Sequence, residues 1–273
     1  MWFTKIANLY QLYKITNSYI YCIMQAVIIC GGKGIRLRSV IGNNPKALVK
    51  LGGKENLINI INNLKKNGIT NLLFLVNNYE EEIKNFLKLN YSKKFIINKD
   101  KNYFGTGGSI YDARDKLKNK FLIIYSDLYF NFNFKNFLKK SINSKSIFSC
   151  VVHANDHPKD SDTVSLDKNF CVKKIYKKKS KKLKINNAVS GIYFAKKSFL
   201  KHFKFKRKNS YDLVNDILPV ILKKRQKIYA YKTIEYIKDF GTMERIKIIK
   251  NDIKSKKIKN LDFFQKTKAI FLD

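Results

Sequence analysis

Residues 24–51 read MQAVIICGGKGIRLRSVIGNNPKALVKL. Ala26 to Cys30 is a short unbroken apolar run, as expected of a strand buried on both faces. It breaks into Gly31-Gly32-Lys33-Gly34, then Arg36, Arg38 and Pro45-Lys46. Glycines directly after a buried strand let the backbone turn tightly and bring its N–H groups close to a ligand. Arg36, Arg38 and Lys46 add positive charge beside those donors. The stretch therefore predicts a phosphate cradle at the carboxyl end of a first strand, where open α/β sheets bind ligands.

The rest of the chain repeats the strand–helix alternation. Asn56 to Lys66 carries Leu57, Ile60, Ile61 and Leu64 at helical spacing, and Asn67-Gly68 is a C-terminal stop. Leu72 to Val76 predicts a second strand, Glu80 to Leu89 a helix with acids in its first turn, and Phe95 to Ile97 a third strand. A turn at 100–108 leads to a helix from about Ser109 to Leu117. Phe121 to Tyr125 predicts a fourth strand ending at Ser126-Asp127. This alternation implies right-handed crossovers and a mainly parallel sheet flanked by helices.

The second half is less regular. It predicts a helix at Phe134 to Ser141, a strand at Ile147 to His153 and a hairpin within Asp160 to Tyr176. A lysine-dense loop follows at Lys173 to Lys184, with a strand at Val189 to Ala195. Tyr211 to Lys224 predicts a helix interrupted by Pro219. Ile228 to Lys232 is a strand, Glu235 to Phe240 follows it, and a last helix begins near Thr242. With no internal repeat and no linker, residues 24–255 read as one domain with a small antiparallel insertion. Residues 1–23 read as an N-terminal extension and 256–273 as a tail.

The 273 residues are 45% hydrophobic, which supports a packed core. The net charge of +36 comes from 56 basic and 20 acidic residues, but only six of the basic ones are arginine. Lys, Asn, Ile, Tyr and Phe are inflated together, the mark of codon bias. An evenly spread, arginine-poor charge gives little bidentate phosphate or base recognition, so a solvated lysine surface is favoured over a specific nucleic-acid partner. Cys22, Cys30, Cys150 and Cys171 show no metal-binding spacing, and two of them lie in apolar runs; a reducing cytoplasm is expected. Residues 1–23 are interrupted by Lys5, Asn8, Gln11, Lys14 and Asn17, which predicts neither a transmembrane helix nor a signal peptide.

Four features fall at loops after strands: the glycine loop with Lys46, Gly105-Thr106-Gly107-Gly108, Asp127, and Asp239 in Lys238-Asp239-Phe240-Gly241-Thr242. Glycines of the second cluster would let a flat ring lie on backbone. Asp127 and Asp239 are each readable as a turn or helix cap. If they met over a phosphate cradle they would suit Mg2+, a hard cation that takes oxygen ligands and bridges phosphates. Periodicity alone does not show that they meet.

In this order the four features resemble the sugar-1-phosphate nucleotidyltransferases, over roughly residues 24–250. That family opens with G-G-x-G-T-R-L and then P-K-x-L, here Gly31-Gly32-Lys33-Gly34-Ile35-Arg36-Leu37 and Pro45-Lys46-Ala47-Leu48, with Ile35 where Thr is usual. Its G-T-x-G segment matches Gly105 to Gly108, its strand-ending Asp matches Asp127, and its late D-I-G-T matches Asp239 to Thr242. The resemblance implies a Rossmann-like fold of the nucleotide-diphospho-sugar transferase type. It implies attack of a sugar 1-phosphate on the α-phosphorus of a nucleoside triphosphate, with pyrophosphate leaving and Mg2+ as cofactor. Arg36 and Lys46 would neutralise phosphate and Asp127 would act in catalysis. Asp127 and Asp239 would hold the metal. Gly31, Gly32, Gly34, Asp100, Gly105, Thr106 and Gly107 would hold the nucleotide, and Lys179, or Lys178 with a one-residue shift, together with Gly191 the sugar phosphate.

Two departures concern the sugar side. The family's E-K pair falls in Tyr176-Lys177-Lys178-Lys179, and its N-A-G-I-Y reads Val189-Ser190-Gly191-Ile192-Tyr193. For the base, Asp100 before Gly105-Thr106-Gly107-Gly108 resembles the heptose-1-phosphate guanylyltransferase branch as well as mannose-1-phosphate enzymes. A carboxylate there would accept from guanine N1–H and its amine; its other reading is a turn cap. Heptose-based surface polysaccharide or lipopolysaccharide synthesis is the expected role. The alternatives are a UTP-, CTP- or dTTP-dependent hexose-1-phosphate enzyme and a non-catalytic binding paralogue. Lys268 to Asp273 (KAIFLD) resembles the opening strand of a haloacid dehalogenase-type phosphatase, which would link the chain to a heptose bisphosphate phosphatase.

Overall fold

A computed structural model describes residues 24–258, except 33, 35, 36, 38–40, 43, 101, 103, 156–159, 179–185, 207 and 208. The expectations for residues 1–23, Arg36, Arg38, Lys179 and the phosphatase-like tail fall outside them.

The opening run forms β1 (Gln25–Ile29), and every residue of it is buried. It pairs in parallel with β4 (Asn71–Val76) on one side and β6 (Lys120–Tyr125) on the other, and β5 (Phe95–Lys99) continues the parallel set beyond β4. Helices cover both faces, which is why the strand needs no polar alternation. Ala26 and Ile28 pack with Leu57, Ile60, Ile61 and Leu64 of α1 (Asn56–Lys66) and with Ile83 and Leu87 of α2 (Glu80–Asn90). Val27 and Ile29 face the opposite cluster, with Ile110 of α3 (Gly105–Asp112).

The sheet turns antiparallel on the far side of β6. There it meets β11 (Ala188–Lys196), which also pairs with β8 (Phe148–His153) and touches the hairpin of β9 (Thr163–Leu166) and β10 (Val172–Tyr176). β12 (Ile228–Lys232) lies parallel to β8, making nine strands in this sheet. The mainly parallel sheet, its flanking helices and the antiparallel insertion agree with the sequence reading.

Several element expectations are corrected. The helix expected from Ser109 begins at Gly105: Gly107 N–H donates to the Tyr211 carbonyl (2.8 Å), and this tertiary bond overrides the poor helix propensity of three glycines. The lysine-dense segment is strand as far as Tyr176. The helix expected from Tyr211 starts instead as a π-turn, Leu213–Ile217, because Asp212 caps it by accepting from Val214 N and Asn215 N. Pro219 falls where this π-turn changes to α5 (Leu218–Lys223), in the first turn of the α-helix, in line with the interruption expected there. Two short pairings had no sequence signal: β2 (Lys50–Leu51) with β3 (Lys54–Glu55), and β7 (Leu128–Asn131) with β13 (Tyr236–Asp239). Between β7 and β8 runs α4 (Phe134–Asn143), whose Phe134, Phe137 and Leu138 are buried.

A third, small core lies beside this edge, where Leu37, Leu51 and Phe240 pack with Ile246 and Ile249 of α6 (Met243–Lys254). Thr242 caps α6 through the Arg245 N–H, at the helix start expected from the sequence. Cys30 and Cys150 are buried and unpaired, and burial pushes both thiols up to about 12. A thiol reagent at pH 8 is therefore expected to spare both in the folded protein, because the nucleophile is the thiolate. Labelling of Cys30 at the rate of a free thiol would contradict the packing of β1.

Candidate active site

The sheet places its functional loops at one edge, the carboxyl ends of β1, β4, β5 and β6. A cleft of about 410 Å3 opens at the first three, lined by Gly31, Gly32, Asn77, Asp100, Gly105 and Thr106 among others. Gly34 closes the first loop with φ of +59° and accepts from Leu37 N–H at 2.9 Å, so its residue type is set by backbone sterics. Asn77, directly after β4, hydrogen-bonds the Gly31 carbonyl and accepts from Asn78 N–H at 2.7 Å. It was not among the predicted residues. Its only sequence signal is a polar residue ending a buried strand.

Asp100 directly follows β5 and is 5% exposed. Its two carboxylate oxygens accept from Asn102 N–H (3.0 Å) and Phe104 N–H (2.9 Å). It is thus a loop cap and a wall of the cleft at once. Gly105 has φ of +76°, and a Cβ there would come within 2.6 Å of the Tyr211 carbonyl oxygen. Thr106 donates its hydroxyl to Asp212 (3.0 Å) and accepts from Leu213 N–H (2.9 Å). Gly107 and Gly108 are buried; added Cβ atoms would collide with Ile217 and Phe104 respectively. Here the flat-surface expectation is revised: these two glycines admit neighbouring side chains of the chain itself, and the cleft is faced by Gly105 and Thr106.

The second group is built by β7 and β13. Their antiparallel register sets Asp239 opposite Leu128, and Phe240 N–H donates to the Asp127 carbonyl at 3.0 Å. The backbones of the two aspartates, 112 positions apart in sequence, are therefore neighbours in the fold. Lys46 Nζ lies 2.6 Å from Asp127 Oδ2, and 5.6 Å from the centre of the Phe240 ring. Asp239 Oδ1 accepts from Gly241 N–H (3.0 Å) and is ion-paired with Arg245. The other oxygen of each carboxylate, Asp127 Oδ1 and Asp239 Oδ2, has no hydrogen-bond partner among the described residues.

That pattern suits a hard divalent cation. One oxygen of each carboxylate is anchored, and one remains to bind a metal whose other positions go to phosphate and water. Among the described residues no cluster of three His, Cys, Asp or Glu side chains forms a protein-only metal cage. A magnesium ion does not require one, because it usually binds through one or two carboxylates together with substrate phosphates.

What aims Asp127 is Asn56, the first residue of α1, which is fully buried. Its Nδ2 donates to the carbonyls of Ser126 and Leu128, both at 2.9 Å, clamping the backbone on either side of Asp127. Sequence reasoning saw Asn56 only as a helix start. Asn56→Ala would strand two buried carbonyls and is expected to cost about 1–3 kcal/mol of stability, with turnover falling further than the melting point accounts for. Full activity in Asn56→Ala would show that the clamp does not matter.

Gly191 lies in β11 with φ of +83°, where the ladder with β8 shifts register between Val189 and Tyr193. A Cβ at Gly191 would press on Tyr125 and Leu128 at 3.2 Å, so the bulge lies directly over the strand end that carries Asp127. Val189 occupies the position where Asn was expected and is part-buried. Lys178 follows β10, and its Nζ lies 4.0 Å from Asp160.

Comparison with known proteins gives one consistent result. A family profile described as nucleotidyl transferase matches residues 25–256. A D-glycero-alpha-D-manno-heptose 1-phosphate guanylyltransferase from Campylobacter jejuni is 31% identical over 192 residues, 69% of this chain and 83% of that one. A bifunctional protein GlmU from Methanococcus aeolicus is 31% identical over 87% of this chain and 58% of its own length. A second GlmU, from Methanocaldococcus jannaschii, is 29% identical over 80% of this chain, which spans 51% of it. The crystal structure of HddC from Yersinia pseudotuberculosis superposes with a TM-score of 0.71 over 85% of this chain and all of that one, at 24% identity. No helix among the described residues is long and apolar enough to cross a membrane.

Proposed function

This chain belongs to the nucleotidyl transferase family, and from that premise we propose that it joins GTP to a heptose 1-phosphate for surface polysaccharide or lipopolysaccharide synthesis. The observation that carries the reading is the pairing of β7 with β13. It brings the backbones of Asp127 and Asp239 together, with Lys46 on the Asp127 carboxylate, on the edge that also bears the glycine-lined cleft.

The chemistry follows from what these groups do. A phosphate oxygen of the sugar 1-phosphate attacks the α-phosphorus, the bond to the β-phosphate oxygen breaks, and pyrophosphate leaves. The nucleophile is already an anion near neutral pH, so the site needs positioning and charge neutralisation more than a base. The glycine loop and Thr106 side of the cleft would hold the nucleotide. Lys46, 13% exposed and already against Asp127, would steady the α-phosphate. Arg36 belongs to the same phosphate-binding assignment, on the sequence motif alone. Asp127 and Asp239 would hold Mg2+, whose chemistry when bound is to bridge and neutralise phosphate oxygens.

Guanine as the base rests on Asp100 and on the similarity to a guanylyltransferase. A carboxylate fixed by two backbone N–H groups in the cleft wall is a preset acceptor, matched to guanine N1–H and its amine. Lys178 or Lys179, with Gly191, would meet the sugar phosphate. The second reading is a hexose 1-phosphate with UTP, CTP or dTTP, the alternative that the same motifs leave open, since Lys177 and Val189 depart from the sugar-side pattern that the resemblance implies.

The test is pyrophosphate release from the Mg2+-loaded protein, with each of GTP, ATP, UTP, CTP and dTTP against heptose, mannose, glucose and N-acetylglucosamine 1-phosphates. Release chiefly from GTP with the heptose phosphate is the expected result. Release chiefly from UTP or dTTP with a hexose phosphate moves the assignment to the second reading. A folded protein with no release from any pair rejects the activity.

A further inference from the structure

Two chains of polar contacts start from opposite halves of the site and end on one residue. The first leaves the carboxylate pair. Asp239 is ion-paired with Arg245, whose Nη2 donates to Asp160 at 3.2 Å, and Asp160 lies 4.0 Å from the Lys178 ammonium. The second leaves the cleft. Thr106 donates to Asp212, Asp212 accepts from Asn215 Nδ2 (3.1 Å), Asn215 donates to Asp162 (3.0 Å), and Asp162 accepts from the Lys178 N–H (2.9 Å). Asp160 and Asp162 are two residues apart at the foot of the β9–β10 hairpin. One reaches the Lys178 side chain and the other its backbone.

We propose that Arg245, Asp160, Asp162 and Asn215 are positioning residues that clasp the exit of β10. In this arrangement the cation at Lys178 is placed jointly by the carboxylate pair and by the nucleotide cleft. The inference rests on the functional reading above for what Lys178 meets, a phosphate of the second substrate. The clasp itself stands on the contacts.

Three physical points support it. Arg245 is 12% exposed and forks between two carboxylates, a geometry that the planar guanidinium provides and a lysine ammonium does not. The four side chains of the first chain sum to zero charge, so the near-buried guanidinium is paid for locally. Asn215 Oδ1 is buried without a partner among the described residues while its Nδ2 serves two carboxylates, so this amide is held for donation. A hairpin needing only stability would be served by apolar packing, without a row of charges that must all be satisfied.

The test separates this from a merely structural role. Arg245→Lys keeps the charge but loses the fork. It is expected to raise the sugar-phosphate KM about tenfold, with the nucleotide KM within about twofold and the melting point little changed. Arg245→Lys combined with Asp160→Asn is expected to be no worse than either alone, since both cut the same chain. Unchanged sugar-phosphate KM in Arg245→Lys, or equal rises in both KM values, overturns the proposal.

Hydrogen exchange gives a readout that needs no turnover. Asp162→Ala is expected to speed exchange at the Lys178 amide and, through Asn215 and Asp212, at the Leu213 amide that donates to Thr106. Faster exchange at Lys178 alone, with Leu213 unmoved, overturns the link to the cleft. If the unaltered protein is inactive with every substrate pair, the functional reading fails while the exchange result still decides the clasp.

Discussion

Asp127→Ala is expected to lower kcat about 1000-fold in a protein that remains folded. The size follows from the work assigned to the carboxylate. A metal ion neutralising phosphate charge supplies several kcal/mol of transition-state stabilisation, and about 1.4 kcal/mol is a factor of ten in rate. Asp127 is one of two carboxylates with an oxygen left for that ion, and it also pairs with Lys46 at 2.6 Å. Its removal leaves Lys46, 13% exposed, without its carboxylate. Some loss of stability is therefore expected too, and circular dichroism must accompany the assay. Lys46→Met in the Asp127→Ala background separates the two effects, since it relieves the unpaired charge without restoring a metal ligand. Recovery of the melting point without recovery of turnover is the expected pattern. Near-normal turnover in Asp127→Ala, or rescue of turnover by Lys46→Met, would refute the assignment.

Gly105→Ala is expected to be the most damaging single methyl group in the chain. Its φ of +76° disfavours any L side chain, and the new Cβ would stand 2.6 Å from both the Tyr211 carbonyl oxygen and Ser210 Oγ. Left-handed backbone alone costs about 1–2 kcal/mol, and forcing atoms into a packed interior typically adds about 1–3 kcal/mol. A total near 3 kcal/mol corresponds to a fall in melting temperature of about 6–12 °C for a domain of this size. Trimming Ser210 to Gly cannot relieve the clash, because the carbonyl is backbone. The same clash pushes the 210–213 segment away from Thr106, so the nucleotide KM should rise with it. Gly107→Ala offers the contrast. Its collision is with the end of the Ile217 side chain, and Ile217→Val removes that methyl group. The pair Gly107→Ala with Ile217→Val should therefore be more stable than Gly107→Ala alone. Gly105→Ala as stable as the unaltered chain would refute this account of the turn.

These two positions show how differently the parts of the site could be read in advance. Gly105 and Asp127 were both visible as motif residues, yet for different physical reasons. The glycine cluster was read as a surface for a flat ring, and two of its three glycines lie against Ile217 and Phe104. No local pattern signals that contact, because Ile217 lies 110 positions beyond Gly107. Asp127 was placed correctly at a strand end, but its neighbour Asn56 was invisible, since a buried amide spanning two carbonyls leaves no periodic trace.

By itself the sequence determined the parallel core and the edge at which ligands would bind. Buried strands covered on both faces must be unbroken apolar runs, and the chain can leave such a run tightly only through glycine; both requirements are local and are written in order along the chain. The ordered motifs from Gly31 to Thr242 likewise carried the reaction class. The backbone pairing that brings residues 127 and 239 together belongs to tertiary structure alone. It depends on β7 and β13, two four-residue strands whose pairing is long-range and whose hydrogen bonds are made by backbone that any sequence possesses. The same holds for the convergence on Lys178: Asp160 and Asp162 precede β9, Arg245 lies in α6, and only the folded chain joins them.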